Sequence, residues 1–404
     1  MASCTIITKC RLCSSEKIED LFSFGKVALP NAYIKEEDLN KEEEKFPLSL
    51  CRCDSCGHIQ LKETVNREDL FSNYLYASST SGSLSKYFGQ YTDEIIKSLS
   101  LSPIDGYVLD LGSNDGVTLQ HFKNRGYQVL GVEPASNLAK IANGKGINTI
   151  NKFFDEIVAQ EILDEHGFPS CILSSNTYAH LECHQSFTNG VKLLLNLDNS
   201  FVFENASLLA TMKGLFFDQI YADHLGYFWS PPLIKYFRNN GLKLYHIEKT
   251  PIQGGSIRCF VKKDAQENDS VLNTLVEELD FGLNKKETYD KFFRKITYLK
   301  IQSETILDQI LDKGKTISCY GCPAKFALFS KFFGLNSQNV QYVVDDSVFK
   351  QNLYAPESKI KIVSRQHFLD NPTDVCIISA WNFADLIKKN NPQYKGAWIN
   401  IFDL

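Results

Sequence analysis

The sequence predicts an α/β chain of three units: a small cysteine-bearing unit at the N-terminus, a central Rossmann-like unit, and a smaller Rossmann-like α/β unit at the C-terminus. Three observations lead there. Two C-x-x-C pairs stand near the start, a strand–glycine turn–helix–strand pattern occupies residues 107–140, and a second strand–turn–helix pattern follows a long amphipathic segment. The expected boundaries are 1–72, 73–285 and 286–404. A chain of 404 residues is too long for one compact core, so several units are the physical expectation.

Composition excludes some function classes. The net charge is -5, which disfavours general nucleic-acid binding because that needs a basic face. No stretch approaches the roughly 20 apolar residues of a membrane-spanning helix, and Met1 to Lys9 holds no long apolar run. The expectation is a cytoplasmic protein with neither nucleic-acid nor membrane partners. In that compartment, twelve cysteines read as metal ligands and buried thiols rather than disulfides.

Cys10 and Cys13 form the first C-x-x-C, and Cys53 and Cys56 the second. A two-residue gap lets both sulfurs of a pair reach one tetrahedral ion, and four thiolates fill the shell of a structural Zn2+. Cys51 is a rival ligand, with Cys4 and His58 behind it. Gly57 suits the tight turn after Cys56. A closed site has no open position for chemistry, so zinc here is expected to fold a unit too small for a generous core.

Residues 107–140 read YVLDLGSNDGVTLQHFKNRGYQVLGVEPASNLAK. Tyr107–Leu111 is a buried strand, Val117–Asn124 a helix, and Gln128–Val132 a second strand ending at Glu133: one βαβ unit. Gly112 and Gly116 let a cofactor approach the backbone at the strand's carboxyl end, with Asp110 and Asn114 as further cofactor contacts. Glu133 is placed to accept hydrogen bonds from both hydroxyls of a ribose. A nicotinamide site would carry G-x-G-x-x-G around a pyrophosphate. The turn here is G-S-N-D-G, and an acidic Asp115 suits the cationic end of S-adenosyl-L-methionine (SAM) better. The unit reads as a SAM-dependent methyltransferase domain, with Asn176 after a later strand as a further cofactor contact or an ordinary turn residue.

Longer segments carry a resemblance. They are YLYASSTSGSLSKYF (74–88), SSNTYAHL (174–181), FFDQIYADHLGYF (216–228), TPIQGGSIR (250–258), YGCPAKF (320–326), VVDDSVFKQNLYAP (343–356) and SAWNF (379–383). Together with the paired cysteines and LGSNDG, they make the chain similar, over nearly its whole length, to sugar C-methyltransferases acting on nucleotide-linked 4-keto-6-deoxy sugars. That resemblance implies removal of a proton from a carbon beside the ketone, C3, then methyl transfer to it.

Such chemistry needs a base for the C–H and donors for the charge growing on the ketone oxygen. The resemblance makes His224 the base, against the alternative of a packed side chain, with Asp223 or a nearby carboxylate fixing its tautomer or sharing the role. Tyr76 and Tyr221 become enolate stabilisers or sugar contacts, each with core packing as the alternative. Tyr74, Ser79, Ser81, Asn205, Gly254 and Gly255 become substrate contacts. Four positions depart from the family pattern: Ala222, where another acidic residue or a histidine is frequent, Gln253, where a histidine is frequent, and Cys319 and Cys322 around Tyr320–Gly321.

Residues 286–313 read as a long amphipathic connecting helix. Beyond it, strands are expected at Thr316–Tyr320, Val340–Asp345, Val375–Ser379 and Trp398–Phe402. Lys325 and Lys350 are candidate contacts to the diphosphate of a nucleotide sugar, against the alternative of solvated surface lysines. The expected partner is thus a small-molecule nucleotide-diphosphate sugar, bound by a monomer or homodimer. O- or N-methylation of a small metabolite, and an inactive zinc- and SAM-binding scaffold, are the competing readings.

Overall fold

The computed structural model describes residues 4–66 and 82–403. Tyr74, Tyr76, Ser79 and Ser81 lie outside the described residues. The N-terminal unit comprises β1 (Cys4–Ile6), β2 (Ile18–Ala28), β3 (Lys45–Cys53), β4 (Ile59–Leu61) and β5 (Glu63–Val65). In β3 the side chains of Phe46, Leu48 and Leu50 are buried at every second position, the period of a sheet with one covered face. Leu48 and Leu50 lie in a core shared with Phe217, Phe292, Phe326 and Phe329, which belong to the two later units. A unit this small gains most of its apolar burial by packing on its neighbours.

The central unit is a seven-stranded sheet. Its strands are β6 (Tyr107–Leu111), β7 (Gln128–Val132), β8 (Thr149–Ile150), β9 (Cys171–Ser175) and β10 (Phe201–Ala206), followed, after β11 (Gly226–Tyr227), by β12 (Lys243–Thr250) and β13 (Ser256–Lys262). The order is β12-β13-β10-β9-β6-β7-β8, and β11 joins the N-terminal sheet beside β4. All five residues of β6 are buried, as expected of a parallel strand covered on both faces. Strand order reverses between β6 and β9, and in open α/β sheets ligands bind outside the carboxyl ends at such a point.

Helix Lys286–Asp312 leads to the C-terminal unit, close to the expected 286–313. There β14 (Ile317–Tyr320), β15 (Val343–Val344), β16 (Ile362–Val363), β17 (Val375–Ile378) and β18 (Ala397–Ile399) form an all-parallel sheet in the order β16-β15-β14-β17-β18. Two expectations shift. The last strand stops at Ile399, and Ile401–Asp403 is a 3-10 turn. β16 was not foreseen, because two residues carry no periodicity to read. This sheet reverses between β14 and β17, the same device as in the central unit. Among the described residues no helix is long and apolar enough to cross a membrane.

Candidate active site

A cavity of about 480 Å³ opens between the carboxyl ends of the parallel strands of the central and C-terminal sheets. The central unit contributes Asp110, Gly112, Asn114, Glu133, Asn176, His180, Tyr221 and His224, with Leu84 and Phe88 from the helix Gly82–Leu99. The C-terminal unit contributes Pro323, Ala324 and Lys325 after β14, and Ala380, Asn382 and Phe383 after β17.

The glycine turn is shaped by left-handed backbone at Gly112 (φ 78°), Asn114 (φ 52°) and Gly116 (φ 80°). A side chain at Gly112 would lie 2.2 Å from Thr177 Oγ1, so only glycine lets the two loops approach. Glu133 fixes the turn by accepting the Asn114 amide on Oε2 and the Ala135 amide on Oε1, both at 2.8 Å. Burial raises its pKa. Asp110 is buried beside it. Burial, and then the Glu133 charge, push the Asp110 carboxyl up to about 7. Its Oδ1 has no hydrogen-bond partner among the described residues. A buried carboxylate with an unused oxygen suits an ammonium or sulfonium, which would also restore its ionised form. These residues fit SAM.

On the same cavity, the Tyr221 hydroxyl and His224 Nε2 are 2.7 Å apart, with the rings 4.2 Å between centres. Burial holds His224 well below the usual imidazole pKa, so it is neutral at pH 7. Sequence reasoning passed over His180. Its ring lies 4.9 Å from that of His224, and its Nδ1 donates to the Asp223 carbonyl at 2.6 Å. Burial lowers its pKa to about 4. Asp223 thus orients His180 through its main chain. The signal was present in the SSNTYAHL segment, but it takes the 3-10 turn Tyr178–His180 to lay this ring beside His224.

Lys325 carries the C-terminal wall. Its Nζ is 3.4 Å from Asp218 Oδ2 and 3.7 Å from the centre of the Trp381 ring, and Trp381 Nε1 donates to the same carboxylate oxygen at 2.7 Å. Burial lowers the lysine pKa and raises that of Asp218. Among the described residues lining the cavity, Lys325 is the only Lys or Arg.

The remaining candidates face elsewhere. Asp115 turns away from the cavity to pair with Lys145 at 3.0 Å, so the carboxylates facing the cavity from this βαβ unit are Asp110 and Glu133. Gly116 packs against Ala142 and Ile147 at the start of helix Val117–Asn124. Asn205 Oδ1 accepts the Ala179 amide at 3.2 Å and braces the turn that bears His180. A side chain at Gly254 would lie 2.5 Å from Trp381, and one at Gly255 2.6 Å from Ala210, so both glycines serve close packing. Lys350 is buried, donating to the Cys322 carbonyl at 3.0 Å and lying 3.1 Å from Asp345. Gln253, beside those glycines, does line the cavity, in left-handed backbone (φ 57°).

The four predicted metal ligands converge. The sulfurs of Cys10, Cys13, Cys53 and Cys56 lie within 4.8 Å of one another, with Cys10–Cys56 at 3.8 Å and Cys13–Cys53 at 3.5 Å. A tetrahedral Zn–S distance of about 2.3 Å places sulfurs about 3.8 Å apart, so the donor set fits zinc. The thiol of Cys56 holds Cys10 towards its thiolate form. Cys51 is turned to the Gln60 carbonyl, and His58 stacks on Phe228; neither is in the cluster.

Three family models match: "Putative zinc binding domain" over residues 10–71, "Methyltransferase domain" over 84–247, and "C-methyltransferase C-terminal domain" over 251–401. C-methyltransferase NovU of Streptomyces niveus is 30% identical over 391 residues, which is 96% of this chain and 93% of that protein. Among solved structures, magnesium protoporphyrin IX methyltransferase (ChlM) of Synechocystis PCC 6803 with bound SAM is similar over 44% of this chain and 79% of its own, with 13% identity and a TM-score of 0.33. A SAM-dependent methyltransferase of Anabaena variabilis ATCC 29413 is similar over 44% and 94%, with 12% identity and a TM-score of 0.33.

Proposed function

The chain belongs to the C-methyltransferase family represented by NovU, and from that premise we propose that its substrate is a nucleotide-diphosphate 4-keto-6-deoxy sugar methylated at C3, beside the ketone. The chain is a SAM-dependent C-methyltransferase with a zinc-binding domain. The observation supporting the finer reading is that the Tyr221–His224 pair lines the same cavity as Asp110 and Glu133.

When bound, SAM supplies an electrophilic methyl group on a sulfonium. The rest falls to the chain. His224, kept neutral by burial, presents its proton-accepting form at working pH. It takes the C3 proton on Nε2, and the C–H electron pair moves into the enolate. The Tyr221 hydroxyl, released from Nε2, donates to the ketone oxygen and holds its growing charge. His180, held by the Asp223 carbonyl, keeps the neighbouring imidazole in place. Asp110 and Glu133 would hold the cationic and ribose ends of the cofactor. Lys325, the one Lys or Arg among the described residues lining the cavity, supports a diphosphate bound towards the C-terminal wall. The proton on His224 returns to solvent after transfer.

The test is incubation with S-adenosylhomocysteine and a panel of nucleotide 4-keto sugars in D2O. The expected result is deuterium at C3 without methylation, followed by a C3-methyl product when SAM is added. No exchange with any keto sugar, alongside normal SAM binding, would remove this substrate class.

A further inference from the structure

Tyr87 and Arg258, each from a segment singled out in the sequence, meet at a buried ionic node. Arg258 sits on β13 between two cross-strand glutamates, Glu204 of β10 and Glu248 of β12. Such directly opposed positions are the closest contacts in an antiparallel ladder. Its Nε donates to Glu204 Oε2 and its Nη1 to Glu248 Oε2, each at 2.9 Å. Arg258 and Glu204 have side chains only 1% and 0% exposed. Isolated, either charge would be costly to bury; paired and fully hydrogen-bonded they hold.

The helix Gly82–Leu99 closes over this node. The Tyr87 hydroxyl donates to Glu204 Oε1 at 2.5 Å and also receives Arg258 Nη2 at 3.3 Å. Glu94 accepts Arg258 Nη1 at 2.8 Å, and the guanidinium lies 4.5 Å from the centre of the Tyr91 ring. Spaced three, four and seven apart, these residues share a helical face with Leu84 and Phe88, both of which line the SAM cavity. The hydrogen bonds from this helix to the node are directional and add to the apolar packing of Leu84, Phe88, Tyr91 and Ile95 on Val108, Leu119 and Phe122; of that face, Leu84 and Phe88 also wall the cavity.

We propose that Arg258 and Glu204 are positioning residues for the cofactor: through Tyr87 they dock the helix Gly82–Leu99, and so set Leu84 and Phe88 against bound SAM. Neither Arg258 nor Glu204 lines the cavity, and neither takes part in the proton or methyl transfer. The claim rests on the SAM-dependent activity and is independent of which sugar is methylated.

The experiment uses the full chain with zinc bound, and S-adenosylhomocysteine as probe by calorimetry. Tyr87→Phe removes a hydrogen bond to a charged acceptor, and affinity is expected to fall about tenfold. Amide exchange is expected to quicken in residues 82–99 while β6 and β9 keep their protection. In turnover, KM for SAM rises far more than kcat falls. Arg258→Met is expected to weaken binding further, with Arg258→Lys restoring part of it. If Arg258→Met does not fold, Glu94→Gln, which alters an outer carboxylate 57% exposed, decides with Tyr87→Phe. Unchanged affinity in both folded variants overturns the proposal. So does exchange that rises equally across the sheet, which marks a merely structural role.

Discussion

Lys325 of the C-terminal unit and Asp218 of the central unit meet across the cavity's edge, Nζ to Oδ2 at 3.4 Å, under the face of Trp381. The carboxylate's second oxygen has no partner among the described residues, so the pair is incompletely satisfied. A lysine held this way can exchange part of its contact for an anion without leaving a bare charge behind. Lys325→Met is therefore expected to raise KM for a nucleotide-diphosphate sugar about tenfold or more, and to leave S-adenosylhomocysteine affinity within about twofold. Steady-state kinetics and calorimetry check both halves. A matching loss of cofactor affinity would mean that the lysine only holds the two units together.

His224→Ala should keep the fold and bind SAM, yet lose at least about two orders of magnitude in kcat, the usual share of a general base. Tyr221→Phe should lose less, because the imidazole keeps its place. Near-normal turnover in His224→Ala takes this ring out of the reaction.

The zinc site separates ligand from neighbour. Elemental analysis should find one zinc per chain, and Cys13→Ser should lose it along with thermal stability. Cys51→Ser should retain it, since that thiol faces the Gln60 carbonyl instead of the cluster. Because the N-terminal sheet shares its core with both other units, metal loss should lower the melting temperature of the whole chain.

Glu278 gives a pH signature. It is buried, accepts the Ser230 amide at 2.8 Å, and burial lifts its carboxyl to about 7 from a usual 4.5. With a raised folded pKa, its favourable contribution is full below pH 4.5 and is lost as pH rises through 7. Glu278→Gln keeps an accepting oxygen and cannot ionise. Its melting temperature should exceed that of the natural chain at pH 8 and converge with it near pH 5. Parallel melting curves across that range would show that the carboxyl titrates normally.

Local signals were legible where chemistry and chain neighbourhood coincide. The four cysteines are read from spacing because each pair shares a turn, and Gly112 and Glu133 because a single βαβ unit brings them together. Even within that unit, direction was hidden. Asp115 points to Lys145 while Asp110 faces the cavity, a choice made by left-handed backbone at Gly112 and Asn114. Gly254 and Gly255 were read as ligand contacts, yet the bodies pressing on them are Trp381 and Ala210.

By itself the sequence determined the α/β class, the metal donors and the cofactor turn, since backbone periodicity and short-range spacing set those. Only the tertiary structure decided which side chains share the cavity. Packing Phe326, Phe329 and Phe333 of the C-terminal unit on Phe217 and Ile220 of the central unit brought Lys325 to Asp218, and a 3-10 turn brought His180 to His224. Contacts between residues far apart in the chain are chosen by how whole layers bury their apolar faces, and no local pattern records that choice.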